Sequence, residues 1–242
     1  MTAERQLPFE SYVGFTLFKN GLPAAYGGAW VVGERAAFGM NIFEPYRGGE
    51  SGFMMCQVLR VVRQVFRVRW FEVDAHQFGL DNPDGIATGA FWFYYKHGFR
   101  PIDRKLAKRA EAERAKIAAR AGYRSSERTL LAFTGSNVAL DFDAALRRKP
   151  PLHLFDWTTA ITRTIARRFD GDRRAAEAAA QQRLPGGGEY ALLALALGIE
   201  DGETLALLRR LARAKPRDLF AYQRLLRAFL KLPQSTPMRK VW

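Results

Sequence analysis

The chain has one cysteine and three histidines in 242 residues, and it has no long apolar run. A lone Cys56 excludes an internal disulfide and a cysteine-only metal cage. Its place in an apolar helical pattern predicts a buried, inert thiol. His76, His97 and His153 show no metal-ligand spacing, so no metal is expected. The longest uncharged stretch, NGLPAAYGGAWVVG, is broken by glycines and a proline and is too short to span a bilayer. The opening MTAERQLPFE has no apolar centre, which predicts no signal peptide. These absences predict a reduced, cytoplasmic, metal-free protein with no membrane partner.

Acidic residues are scarce only in one half. Residues 1–102 hold 10 Lys+Arg against 9 Asp+Glu, whereas residues 103–242 hold 28 against 15. Nearly all of the net charge of +14 therefore belongs to the second half. Such an asymmetry suits a nucleic acid or an acidic partner bound through 103–242, and it also suits plain solvated helices. A hydrophobic content of 48% is enough for a packed core.

What is present begins with strands. SYVGFTLF alternates Val13, Phe15 and Leu17 with Tyr12, Gly14 and Thr16, the period of a half-buried strand. Asn20-Gly21 is a hairpin signal, PAAYGGAWVV is the return strand and AAFGMNIFE is a third. Residues 11–44 are thus expected to form an antiparallel meander. The glycine-rich YRGGESG leads into an amphipathic helix with Met55, Val58, Leu59, Val62, Val65 and Phe66 on one face. WFEVDAH is a further strand. Asn82 as N-cap, Pro83 at the first helical position and Gly98 past the end predict a helix over about 83–97. FRPID is a short strand, and NVALDFD is a candidate strand returning to the first sheet. Beyond 103 the chain reads mainly as basic helix, with Pro185 and Gly186–Gly188 as a flexible joint.

Two pieces carry chemistry. A strand, a glycine-rich turn and a helix N-terminus make an anion site from free backbone N–H groups, and Arg47 can pair with a phosphate. GAFWFYYKHGF crowds six aromatic rings into eleven positions. Spacing alone leaves two readings of Tyr94 and Tyr95: core aromatics with satisfied hydroxyls, or a phenol giving up a proton in an apolar slot.

Residues 11 to about 102 resemble the GNAT acyltransferase superfamily from its second strand onward. EPYRGGESG is similar to the turn that cradles the acetyl-CoA pyrophosphate, and AFWFYYKHGF to the later signature with Ala90, Tyr94, Lys96, Gly98 and Phe99 in place. The resemblance implies an α+β fold with a GNAT-like mixed sheet, an antiparallel meander plus strand–turn–helix–strand–helix, followed by a mainly α-helical C-terminal region. It implies an acyl-CoA-binding domain over 1–102 and a basic helical region over 103–242, with the joint at 185–188. It further implies N-acyltransfer from acetyl-CoA or another acyl-CoA to an unidentified amine. In that reading Asn41, Ile42 and Phe43 lie on the strand that pairs with the pantetheine arm. Arg47, Gly48, Gly49, Ser51 and Gly52 hold the pyrophosphate, and Tyr94 protonates the departing thiolate. The oxyanion would be held by a backbone N–H of the strand ending at Phe43. Glu72, Asp74 and His76 are the candidate bases. Glu50 stands where the family has a glycine, which predicts a turn weakened by its charge, its Cβ or both. Ala87 stands where many members have asparagine. The alternative is a GNAT-like scaffold without turnover whose basic half binds a partner.

Overall fold

The computed structural model describes residues 8–146 and 149–237; MTAERQL, read above for a signal, lies outside them. The chain is α+β, with a six-stranded mixed open sheet and ten α-helices among the described residues. Two compact units divide it: residues 12–31 with 35–149, and residues up to 11 with 32–34 and those from 150 on.

The first unit holds the sheet. Strands β1 (Ser11–Lys19), β2 (Leu22–Val32) and β3 (Arg35–Ile42) are joined by two-residue connections. Asn20 and Gly21 sit at φ 51° and 81°, the left-handed pair that a tight hairpin needs to follow the strand twist. Helix α1 (Ser51–Phe66) buries Met54, Met55, Val58, Leu59, Val62 and Phe66. Cys56, expected to be buried, is exposed. It lies about 100° around the helix from Met55, off the apolar face. Val65, in the last turn, is exposed as well.

Strand β4 (Trp70–Val73) pairs parallel to β3. The expected helix over 83–97 is two helices, α2 (Pro83–Ala87) and α3 (Ala90–Lys96). Gly89 between them takes φ 64°, which no helix continues through. Asn82 caps α2 as expected, its side chain accepting from the Gly85 N–H. At the other end the Phe99 N–H donates to the Tyr94 carbonyl at 3.2 Å and the Gly98 N–H to Tyr95 at 3.1 Å. With Gly98 at φ 95°, this paired cap stops the aromatic helix.

Strand β5 (Arg100–Pro101), helix α4 (Arg104–Ala119), helix α5 (Glu127–Phe133) and strand β6 (Val138–Asp141) complete the unit. The sheet order is β1-β2-β3-β4-β6-β5, with β6 antiparallel to both neighbours. NVALDFD thus returns to the sheet. Residues 103–149 pack with the sheet rather than with the later helices, so the units part near 150 and not at 102/103.

The second unit is helical: α6 (Leu154–Arg168), α7 (Arg173–Arg183), α8 (Glu189–Leu197), α9 (Gly202–Ala214) and α10 (Leu219–Leu230). Asp172, Asp201 and Asp218 cap three of these helices, and His153 with Asp156 forms a reciprocal capping box on α6. Helix α8 is buried from Tyr190 to Leu195, and Trp157, Leu208, Leu211, Leu226 and Phe229 join it in one core. Phe9 enters the same core, edge-on to Trp157 and Tyr190 at 5.3 Å each. Pro185–Gly188 is a packed turn rather than a joint. Gly187 is buried, and the Gly186 N–H donates to Gln181 Oε1 at 2.8 Å.

Candidate functional site

The parallel pairing of β3 and β4 is short. Arg35, Ala36 and Ala37 face Trp70, Phe71 and Glu72, and β3 then runs on through Phe38–Ile42 without β4. Strand β4 ends where Asp74 accepts the His76 N–H at 2.9 Å and the chain curls into a 3-10 turn, Ala75–Phe78. The paired end is locked. Buried Glu72 accepts from Arg35 and, at 2.8 Å, from Asn137, whose Oδ1 takes the Ala75 N–H at 3.1 Å. The two strands therefore fork.

Successive residues of a strand direct their N–H and C=O groups to opposite sides. The Phe43 N–H donates to the Ala24 carbonyl at 3.0 Å, so the odd-numbered residues face β2. Phe38, Met40 and Ile42 accordingly present their backbone groups to the fork. The Phe43 N–H is thus engaged in the β2 ladder, and of the strand N–H groups expected to include the oxyanion donor those on the fork side belong to Met40 and Ile42. Asn41 also faces away, its amide donating to the Tyr26 hydroxyl at 3.0 Å.

The chain leaves β3 through a 3-10 turn, Glu44–Tyr46, and reaches α1 through the glycines. Arg47 Nε donates to the Ile42 carbonyl at 2.9 Å, which ties the turn to the fork strand. Gly48 takes φ 115°, open to glycine but strained for other residues; its N–H donates to Ser51 Oγ at 3.0 Å. Gly49 has open space around it. Glu50 has φ −94° and ψ −7°, ordinary for any residue, so its Cβ is no obstacle here. Its carboxylate pairs with Lys19 at 2.5 Å. Among the described residues the Gly52 and Phe53 N–H groups have no acceptor. A Cβ on Gly52 would come within 2.3 Å of His97 Nε2, so the end of α3 sits against the first turn of α1. Sequence reasoning missed both Lys19 and His97, because neither contact is local in the chain.

Tyr94 is 5% exposed and ringed by Phe78, Phe93 and Phe99, with centroids 5.4–6.3 Å away. Its hydroxyl has no hydrogen-bond partner among the described residues. Burial pushes its pKa up to about 12, so it holds its proton at neutral pH.

The three candidate bases differ in their commitments. Glu72 is buried in the ion pair described above. Asp74 caps the 3-10 turn through one oxygen, Oδ1. His76 is exposed, with Nδ1 2.8 Å from the Leu80 carbonyl. Among the described residues no three His, Cys, Asp or Glu side chains gather as metal ligands, and no helix is long and apolar enough to cross a membrane. No protein-family model, curated protein or solved structure matches the chain.

Proposed function

We propose that the sheet-bearing unit binds an acyl-CoA and transfers its acyl group to an amine, as in the GNAT superfamily. The observation that carries this reading is the fork: Phe38, Met40 and Ile42 of β3 turn backbone groups away from β2, beyond the reach of β4, beside a glycine turn that opens a helix. An extended amide-bearing arm can pair with such a flank, and a pyrophosphate suits the free N–H groups at the start of α1. The order of meander, turn, helix, strand and helix agrees with the resembled family.

In this mechanism the amine attacks the thioester carbon directly. The Met40 or Ile42 N–H holds the developing oxyanion, aimed in advance and needing no reorganisation. As the carbon–sulfur bond breaks, Tyr94 gives its proton to the thiolate. A phenol with a raised pKa stays protonated until that moment and has no competing partner to detach from. Calorimetry and thermal shift with acetyl-CoA test the reading. Heat and a raised Tm are expected; neither at millimolar ligand would overturn it.

The alternative, a scaffold that binds nucleic acid without turnover, draws on α4. Lys105, Arg109 and Arg120 are exposed along one stripe, while Glu113 is turned inward onto Tyr123 at 2.8 Å. Duplex DNA affinity would then fall by about 0.9 log units per log unit of salt for each phosphate contacted. Binding that ignores salt returns these residues to a solvated face.

A further inference from the structure

The geometry points to His76 as the base that takes the acceptor's proton, and to a cationic primary amine as the acceptor. This inference rests on the acyltransferase reading above.

The argument begins with the tautomer. A carbonyl oxygen only accepts, so the 2.8 Å contact with Leu80 requires the proton on His76 Nδ1. In the neutral ring the lone pair is then on Nε2, the outward nitrogen. The ring's platform is fixed from three directions. Asn82 Nδ2 donates to the His76 carbonyl at 2.8 Å, the Leu80 N–H to Ala75 at 3.1 Å, and the Gln77 N–H to Asp74 at 3.0 Å. The neighbouring Gln77 side chain lies 3.6 Å from where a Cβ of Gly39 would stand. Gly39 belongs to the stretch of β3 that has left β4, so the His76 turn borders the fork. Of the two carboxylates near this end of β4, buried Glu72 is committed to Arg35 and Asn137, and Asp74 turns Oδ1 to the His76 N–H. Of the three candidates His76 is the exposed imidazole, one ring nitrogen tied to the Leu80 carbonyl and the lone pair left on the other.

The acceptor's charge follows from the rim. Between Arg69 and Lys96 the chain has no Lys or Arg, yet it carries Glu72, Asp74, Asp81 and Asp84. In a chain of net charge +14 this stretch of opposite sign includes the His76 turn and the Leu80–Asn82 segment bonded to it. Asp74, Asp81 and Asp84 are exposed there and favour the approach of a cation. The attacking nitrogen enters as the free amine, its ammonium proton already lost to solvent, and a second ammonium on the same molecule carries the charge. As the amine nitrogen bonds to the acyl carbon, its N–H bond breaks and an Nε2–H bond forms, leaving an imidazolium. Tyr94 meanwhile loses its proton to the thiolate. The two side chains are restored by exchange with solvent.

Full-length protein should be assayed with acetyl-CoA, following thiol release with butylamine and with 1,4-diaminobutane. The diamine is expected to be turned over with the higher kcat/KM. His76→Asn keeps a donor for Leu80 but has no base, and should lose roughly 10²–10⁴-fold in kcat while binding acetyl-CoA as wild type does. His76→Ala should recover part of its turnover when imidazole is added, which a merely structural role would not allow. Wild-type turnover by His76→Asn, or no imidazole rescue, overturns the base assignment. A wild-type protein that binds acetyl-CoA yet acylates neither amine overturns the acceptor assignment. Failure of acetyl-CoA to bind wild type would instead sink the acyltransferase reading itself.

Discussion

The two units treat buried polar groups in opposite ways. In the helical unit each is answered. The Tyr190 hydroxyl donates to the Pro8 carbonyl, Tyr222 to Phe9, and Trp157 to Ser235, while Gln223 joins Ser11 and the Gly33 N–H. Among the described residues of the sheet unit the Tyr94 hydroxyl and Trp70 Nε1 have no hydrogen-bond partner, and a strand flank and a helix start are left open. Of these only Trp70 Nε1 is sealed from solvent, where an unmade hydrogen bond costs about 1–3 kcal/mol; the others can be met by water or by a ligand. Among the described residues the contrast puts the open backbone and the unpartnered polar groups in the sheet unit.

The largest effect should come from the buried Arg35–Glu72 ion pair at the fork's closed end. Glu72→Ala removes the buried carboxylate to which Arg35 and Asn137 donate and should cost about 3–5 kcal/mol in denaturant unfolding. A loss below about 1 kcal/mol would mean that the fork is not braced there.

Matched Tyr→Phe changes sharpen the contrast between units. Tyr94→Phe removes an unpartnered hydroxyl, so its stability should stay within about 1 kcal/mol of wild type while turnover drops roughly 10²-fold. Tyr222→Phe breaks a satisfied network and should destabilise by about 1–3 kcal/mol with turnover unchanged. Equal stability losses at both positions would erase the distinction.

Glu50 gives a smaller effect. Its backbone is ordinary, so only its charge opposes an anion, and that charge is partly drawn off by Lys19. Glu50→Gln and Glu50→Gly should therefore both tighten acetyl-CoA binding about tenfold, roughly 1.4 kcal/mol. A gain confined to glycine would restore the geometric explanation.

The smallest effect is a pH dependence in the helical unit. Lys215 donates to the Glu10 carbonyl and lies 4.7 Å from the Tyr222 ring centre. Burial lowers its pKa to about 8, against the opposing pull of Glu10. The folded state thus binds this proton less tightly than the unfolded one. The stability linked to Lys215 is complete above the unfolded pKa and is lost as pH falls through about 8. Between pH 8 and 10 the Tm should rise, by no more than about 1 kcal/mol of stability after solvent screening. Lys215→Met should flatten that rise.

Local rules made much of this protein legible before any coordinates. Asn20-Gly21 fixed a hairpin because both residues tolerate left-handed φ, Asn82-Pro83 started a helix, and Gly98 ended the aromatic one. Alternation gave the meander, and a 3.6-residue period gave α1 and the later helices. Each of these depends on neighbours within a few positions, and the order of side chains along the chain carries that information.

Tertiary structure decided the rest. That β3 and β4 part after three pairs, that His97 rests on Gly52, and that Lys19 draws Glu50 aside are contacts across 31 to 45 positions. The unit boundary near 150 depends on β6 entering the sheet between β4 and β5, and the place of Phe9 among helices depends on a cavity those helices build. No short window of sequence contains both partners of such a contact. The sequence determined which groups this chain owns and which local shapes it takes; packing over long separations decided which of those groups were left free to react.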